Sequence, residues 1–532
     1  MLKNKINSPL ARSVIANCSL ALMVGWSLPS DAATWTKLTH AAPGYTGTML
    51  LLTDGTVMTQ GIPFNTWMRL TPSATGSYID GTWSSLAPMG RQRLYFASHV
   101  LPNGKVWVLG GEYSGTPLQS NITNTGEIYD PVSNTWSPIA NHPEPYFGDD
   151  PTMLLPKGKI LAGSIFTNMT YIYDIATNTW SFAASKVYPD RSDEESWVKL
   201  PNGQVMTYDI FQSVDHSGQY AEVYNPVANA WKSVSPSDST ANGIIPVLSS
   251  AALGYELGPL LNVRANGANS QVFAIGATGH TALYSQITNT WTPGPDVIGV
   301  LGGQPALFGA ADAPAAVMPN GHVLFAADAS PTRGLFNGPT QLFDFDPVAN
   351  TISPASPALP DTNLSGIPSF ITRMLVLPTG QILFSDSSNQ LWVYTPDGTA
   401  SPSQRPVFSN VKYSGAGVFT LQGVRMNGPS AGSAYGDDVE SDENYPIVRL
   451  QDTTGNVFYA RTTNWSNTGV AKGVTSETVD FTLKTGMQPG DYSIVVSGAG
   501  VSSQPRCVTI TAAHIQGTGA GSDAAITCHG AP

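Results

Sequence analysis

The chain has 532 residues, 12% of them charged, with a formal net charge of −12. That excess of acid argues against nucleic acid and anionic membrane surfaces as partners. The length allows several domains or one large repeat architecture, and 52 glycines with 41 prolines mean frequent turns.

Lys3, Lys5 and Arg12 form a basic start, Val14 to Leu28 is largely apolar, and Ser30-Asp31-Ala32 offers a small-x-small cleavage site. This pattern predicts an export signal over residues 1–32, too short for a comfortable membrane span; the alternative is an uncleaved anchor. No later run of eighteen apolar residues occurs. The mature protein is therefore expected to be secreted or periplasmic, with no membrane insertion after cleavage. Cys18 lies within the apolar stretch and not after it, which argues against a lipid-anchored cysteine.

From residue 33 a repeat organises the chain. An apolar run, a turn ending in glycine and a second apolar run recur, with the turns at Leu52-Thr53-Asp54-Gly55, Leu101-Pro102-Asn103-Gly104, Leu155-Pro156-Lys157-Gly158 and Leu200-Pro201-Asn202-Gly203. They return at Met318-Pro319-Asn320-Gly321 and Leu377-Pro378-Thr379-Gly380, and a degenerate copy spans Leu260 to Phe273 with Gly267 near its turn. Asn-Gly and Asp-Gly supply the positive φ that tight hairpins need. A second signal follows most turns: Tyr129 with Asn134-Thr135-Trp136, Tyr173 with Asn178-Thr179-Trp180, Tyr224 with Asn229-Ala230-Trp231, and Tyr284 with Asn289-Thr290-Trp291. Gly110-Gly111 completes a resemblance to the kelch repeat. Seven units with a period near fifty residues predict an all-β fold, a seven-bladed kelch-type β-propeller over residues 33–402. The last unit lacks its Asn-x-Trp strand, and Ala33-Thr34-Trp35-Thr36-Lys37-Leu38 is expected to supply it and close the ring.

From Ser403 the pattern changes to short strands, read at Val407–Tyr413, Val418–Val424, Ile447–Leu450, Val457–Thr463, Thr478–Leu483 and Asp491–Val496. They predict an immunoglobulin-like β-sandwich over residues 403–513, followed by a Gly/Ala/Ser-rich flexible tail over 514–532. Cys507 and Cys528 are the two cysteines of the exported chain, and export favours a disulfide between them over two free thiols.

Kelch blades followed by such a sandwich resemble galactose oxidase and the glyoxal oxidases, whose sandwich ending is similar to Met487-Gln488-Pro489-Gly490-Asp491-Tyr492 and Ser497-Gly498-Ala499-Gly500-Val501. The resemblance implies a copper ion held by two tyrosines and two histidines, one tyrosine cross-linked to a cysteine. Counting back nine residues from the second turn glycine gives Tyr95 at the radical tyrosine position, with Tyr113 where that family places a stacking tryptophan. The remaining positions depart. Thr46-Gly47 stand where the cysteine is expected, Phe370-Ile371 where a Tyr-His pair is expected, and no histidine occurs over Val448–Thr453. Phenyl and aliphatic side chains offer no lone pair to copper(II), so copper is not expected as a cofactor.

The same offset marks one mouth of the central channel: Thr46, Tyr95, Asp149, Glu194, Asp312 and Ile371, with Glu256 nearest in the degenerate unit. Asp150, Asp193 and Glu195 are neighbours, and Arg373 enters an inner strand where it could bind an anion. Three readings compete. The acids are solvated loop carboxylates; or they bind calcium, a cation or a polyhydroxylated ligand, with Tyr95, Tyr113, Trp197 and Tyr255 stacking on a sugar; or two of Asp149, Glu194 and Glu256 do acid–base chemistry on a glycoside. The preferred expectation is a binding protein for an extracellular carbohydrate or surface polymer, with a carbohydrate-active enzyme and a structural matrix protein as alternatives. His99, His142, His216, His280 and His322 show no metal-ligand spacing and are expected to be structural or solvated.

Overall fold

The computed structural model describes residues 32–215, 220–234, 253–263, 271–329, 336–430 and 444–518. Residues 1–31, His216, Gly267 and Cys528 lie outside them.

The repeat folds as seven four-stranded antiparallel sheets, taken here as blades 1 to 7. Their innermost strands are Met49–Leu51, Ala97–Val100, Thr152–Leu155, Trp197–Lys199, Leu260–Val263, Ala315–Val317 and Arg373–Val376. Inner strands touch in turn from blade 2 to blade 5, and Arg373–Val376 packs against both Ala315–Val317 and Met49–Leu51, so the last blade meets the first. The six turn glycines read from the sequence all have positive φ, from 66° at Gly158 to 93° at Gly321. Only a residue without a Cβ adopts that backbone freely, so the turn chemistry fixes where each inner hairpin reverses.

Thr34–Lys37 pairs with Trp392–Thr395 as the outer strand of blade 7, Trp35 opposite Tyr394, as the incomplete seventh unit requires. The first strand of the fold thus seals the edge of the last blade. Trp35 packs on Tyr394 at 4.6 Å and donates its indole N–H to Pro357 O at 3.0 Å.

The Tyr…Asn-x-Trp signal staples blades 2, 3 and 4 to the blade before them. Asn134, Asn178 and Asn229 turn with φ of 54°, 53° and 50°. Asn134 Oδ1 accepts from Tyr129 OH at 2.8 Å and from Ala87 N of blade 1 at 2.9 Å. Trp136 donates to Ala87 O at 2.8 Å and stacks on Trp67 of blade 1. Asn178 and Trp180 repeat these bonds to Ala140 of blade 2. Each bond contributes about 1 kcal/mol net, and the buried rings add to it.

The C-terminal β-domain has eight strands. Six match those read from the sequence to within two residues at either end, and Val501–Ser502 and Arg506–Ile510 are additional. Val457–Thr463 pairs with Ile447–Gln451 through its first half and with Ser476–Thr482 through its second, so one strand passes from one sheet to the other, as at the corner of a sandwich. Cys507 is disulfide-bonded, while Cys528 lies outside the described residues. The chain continues past 513 in a short helix, Ala512–Gln516, capped by Thr511, with His514 against Tyr413.

This domain sits on the turn side of the propeller. Thr462 N donates to Thr53 O at 3.1 Å, Asn464 N to Pro102 O at 2.6 Å, and Lys199 Nζ to Thr468 O. Tyr445 OH donates to Leu51 O, and a Cβ at Gly55 would lie 2.4 Å from the Tyr459 ring. The turns of blades 1, 2 and 7 therefore meet this domain, and the residues at the nine-residue offset stand at the other end of the inner strands.

Candidate functional site

Thr46, Tyr95, Asp149, Glu194, Glu256, Asp312 and Ile371 each stand two to four residues before the first strand of their blade. They occupy equivalent places, at the end of the inner strands away from the turns. Three of them, Tyr95, Glu194 and Asp312, share a left-handed backbone with φ of 54°, 63° and 49°. That conformation is unfavourable for a residue with a Cβ and persists only where the surroundings enforce it. A repeated left-handed residue at the start of the inner strand swings the chain from the mouth into the blade.

Blades 3 and 4 bring acids together. The Glu194 amide donates to Asp149 O at 2.9 Å, tying the two mouth loops through the main chain. Asp149, Asp193 and Glu194 each offer a carboxylate oxygen, and these oxygens lie within 4.8 Å of one another. Arg191 Nε donates to Asp193 Oδ2 at 2.9 Å, and its guanidinium covers the Phe211 ring at 3.5 Å. Phe211 in turn packs on Tyr255 at 5.6 Å, carrying the wall to blade 5 and its half-buried Glu256.

Asp150 is fully buried, and Gly148 N reaches its Oδ2 at 3.3 Å, while Oδ1 has no hydrogen-bond partner. Burial, then the charges of Asp193 and Asp149, push its carboxyl well above the usual range. Glu112, not singled out from the sequence, belongs to the same neighbourhood. Burial and Asp193 raise its carboxyl against a hydrogen bond from Tyr113. Glu112 N also donates to Tyr95 O at 3.1 Å. The signal available in the sequence was its place directly after Gly110-Gly111.

Tyr95 and Tyr113 are half-buried and meet edge to face, ring centres 5.9 Å apart. A small sheet of Arg93–Leu94, Tyr113–Ser114 and Gln119–Ser120 holds them there, with Leu94 opposite Tyr113. On its other side Tyr95 meets Phe370 at 6.4 Å, and Phe370 packs on Phe336. Thr46 Oγ1 bonds Ser385 Oγ and Ser388 O. At these places the copper-oxidase resemblance expects a cysteine and a Tyr-His pair, and a hydroxyl, a phenyl and an aliphatic group do not form that donor set.

Three residues read toward the mouth stand elsewhere, and a fourth, Asp312, keeps its place on blade 6 but outside the acid trio. Glu195 turns inward: it is fully buried, paired with Lys186 Nζ, and accepts from Trp197 Nε1 at 3.1 Å. The left-handed backbone at Glu194, in the turn before the strand, parts neighbours 194 and 195. Trp197 is buried against Trp231 and offers no stacking face. Arg373 is buried, its Nη1 donating to Phe370 O and Thr372 O at 2.6 and 2.8 Å. Asp312 is 6% exposed, on blade 6, apart from the acid trio.

Behind the mouth, blade 4 encloses a second polar cluster that sequence reading missed. Lys186 Nζ, fully buried, pairs with Glu195 and with Asp209 Oδ1 at 2.9 Å. Asp190, Glu195 and Asp209 surround it, and Glu222 accepts from Tyr188 N at 2.9 Å. Burial opposes the lysine's charge, yet Asp209 and Glu195 outweigh it and hold the ammonium protonated. Burial pushes Asp209 up to about 6 and, with the Asp209 charge, Glu222 up to about 8. Here the lysine fills the place a metal cation would take.

Four of the five histidines singled out from the sequence are described, and each has a hydrogen-bond or packing partner. His99 Nε2 bonds Thr152 Oγ1 at 2.9 Å, and His142 lies among Phe147, Tyr171 and Trp180, its pKa lowered by burial to about 3. His280 and His322 pair with Asp296 and Asp344.

Residues 93–143 match the Kelch motif. They contain all four strands of blade 2, including the Asn134-Thr135-Trp136 staple. A match to an F-box/kelch-repeat protein of Arabidopsis thaliana is 44% identical over 57 residues, 11% of this chain and 16% of that protein. The chain thus shares one kelch-sized segment with a small part of that relative. Among solved structures, a fungal alcohol oxidase of the AA5 family in complex with copper is similar over 88% of this chain and 85% of its own, at 15% identity and a TM-score of 0.36. The protein YjhT is similar over 60% of this chain and 99% of its own, at 13% identity and a TM-score of 0.38. At these values neither likeness says what this chain binds.

Proposed function

We propose that this is an exported kelch propeller that binds a polyhydroxylated ligand, of the carbohydrate class, at the acidic mouth of its channel, on an oxidase-like scaffold without copper-radical chemistry. The observation that carries this reading is the convergence of Asp149, Asp193 and Glu194 on one point, joined through Glu112 to the Tyr95–Tyr113 pair. Carboxylates accept hydroxyl protons, and aromatic faces cover the C–H side of a sugar ring, so the two together suit a polyol. Tyr95, Tyr113, Asp193 and Glu194 are only half-buried, which suits a ligand that arrives from solvent.

The test is titration calorimetry of the purified exported chain against a panel of neutral and acidic oligosaccharides. Saturable binding that weakens at least tenfold in Tyr113→Ala and in Glu194→Gln supports the reading. No binding of any panel member at millimolar concentration removes it. The closeness of Asp149 and Glu194 also favours a second reading, a glycosidase pair, since retaining enzymes hold their carboxyls about 5 Å apart. Release of reducing sugar that Glu194→Gln abolishes would select that one.

A further inference from the structure

Blade 7 and the C-terminal β-domain meet at a crevice on the turn side of the propeller. The tip of the blade 7 hairpin abuts the domain: a Cβ at Gly380 would lie 3.1 Å from Gly500 O and 3.0 Å from Pro319 Cγ of blade 6. Gly380 and Gly500 also line a cavity of about 410 Å³ between the two domains. Cavities that hold small molecules run from about 300 to 1,000 Å³ and favour domain interfaces.

The C-terminal β-domain contributes Arg405, Arg449 and Gln451 to this cavity, and blade 7 contributes Thr379, Gln381 and Thr395. Side chains alternate along a strand. In Ile447–Gln451, Val448 and Leu450 are buried in the core, so Arg449 and Gln451 share the other face and reach the cavity. Arg405, just before Val407–Gly415, donates from Nη1 to Ser502 O at 3.0 Å. That acceptor is a neutral carbonyl, and no ion pair joins Arg405 to a carboxylate among the described residues. In blade 7, Thr379 Oγ1 donates to Gln381 Oε1 and Gln381 Nε2 to Thr395 Oγ1, each at 2.8 Å. The Thr395 hydroxyl accepts there and keeps its own hydrogen to donate.

Two guanidiniums and several hydroxyls thus line the cavity, and no carboxylate stands among the described residues that do so. In a chain of net charge −12 this reverses the sign locally. The planar fork of a guanidinium matches the paired oxygens of a phosphate or sulfate group. Both arginines are half-buried, where salt screens a bound charge less than it does at the open surface.

We propose that this interdomain cavity binds a phosphate or sulfate group, free or carried on a small molecule, through Arg405 and Arg449. The site stands at the turn end of the inner strands and does not depend on how the channel mouth is read. Its occupant would touch both domains.

The experiment is calorimetric titration of the full-length exported protein with inorganic phosphate, inorganic sulfate and phenyl phosphate, repeated for Arg405→Gln, Arg449→Gln and Lys232→Gln. Lys232 is exposed on the outer strand of blade 4. One equivalent bound at millimolar affinity or tighter is expected. Affinity should fall about tenfold or more in each arginine variant, because a hydrogen bond to a charged group contributes at least that factor. It should stay within twofold in Lys232→Gln, each variant showing the wild-type circular dichroism spectrum. If Arg405→Gln misfolds, the Arg449→Gln titration decides alone. Tighter binding of phenyl phosphate than of the inorganic ions supports the proposal and points to an organic ester; equal binding supports it and points to the free anion. No binding of any of the three at tens of millimolar overturns it. So does binding unchanged in both arginine variants, or an equal loss in Lys232→Gln.

Discussion

Lys186 is the residue whose loss should cost most. It is fully buried, and two of the carboxylates around it, Glu195 and Asp209, are equally buried. Lys186→Met keeps most of the side-chain volume and removes the charge. The acids are then left without their counter-ion, and deleting one partner of a buried pair typically costs about 3–5 kcal/mol. Protonation limits that cost, because Asp209 and Glu222 titrate near 6 and 8 and take up protons more readily once the ammonium is gone. The loss should therefore be about 3–5 kcal/mol at pH 8 and clearly smaller at pH 5. Urea unfolding followed by tryptophan fluorescence at both pH values measures it. Adding Glu195→Gln and Asp209→Asn to Lys186→Met should recover part of the loss at pH 8. A Lys186→Met protein within 0.5 kcal/mol of wild type at pH 8, or a deficit that grows on acidification, would refute the picture of a lysine neutralising a buried acid cluster.

Three further outcomes follow from the same geometry. Glu222 and Asp209 hold protons in the fold that the unfolded chain releases near pH 4, so their contribution is full below about pH 4 and is lost as pH rises through about 6 and about 8. Glu222→Gln should flatten the fall in melting temperature between pH 5 and pH 8. Gly55→Ala drives a Cβ to 2.4 Å from the Tyr459 ring, whereas Gly321→Ala meets nothing within 4 Å. Both pay for a positive φ, so Gly55→Ala should be the more destabilising by about 1–3 kcal/mol in thermal or urea unfolding. Deleting residues 33–38 removes the ladder from Thr34–Thr395 to Lys37–Trp392 and exposes the edge of blade 7. Lower melting temperature and self-association by size-exclusion chromatography are expected.

Much of the architecture was legible because it is written in local chemistry. Turn glycines, left-handed asparagines and Trp staples act within one hairpin or between neighbours in the repeat, and each uses a residue type with few substitutes. The missing strand of the seventh unit could be found at residues 33–38 because a propeller needs every blade edge paired. Residues at one offset before the turn glycines share one topological place, just before the inner strand of each blade. Side-chain direction cannot be counted in this way. Glu194 and Glu195 are adjacent acids in the sequence, yet the left-handed backbone at Glu194 and the strand that follows send one to the mouth and the other into the core.

Local chemistry suffices for a repeating all-β chain and for the strand that completes its last blade, since backbone conformation and strand edges follow from short-range rules. Which acids meet depends on packing between blades. The Asp149–Glu194 main-chain bond, the burial of Asp150 and the enclosure of Lys186 depend on how neighbouring blades are set against each other. Electrostatic energy in a low-dielectric interior depends on distances of a few ångströms between residues far apart in the chain, and no pattern along the chain encodes those distances.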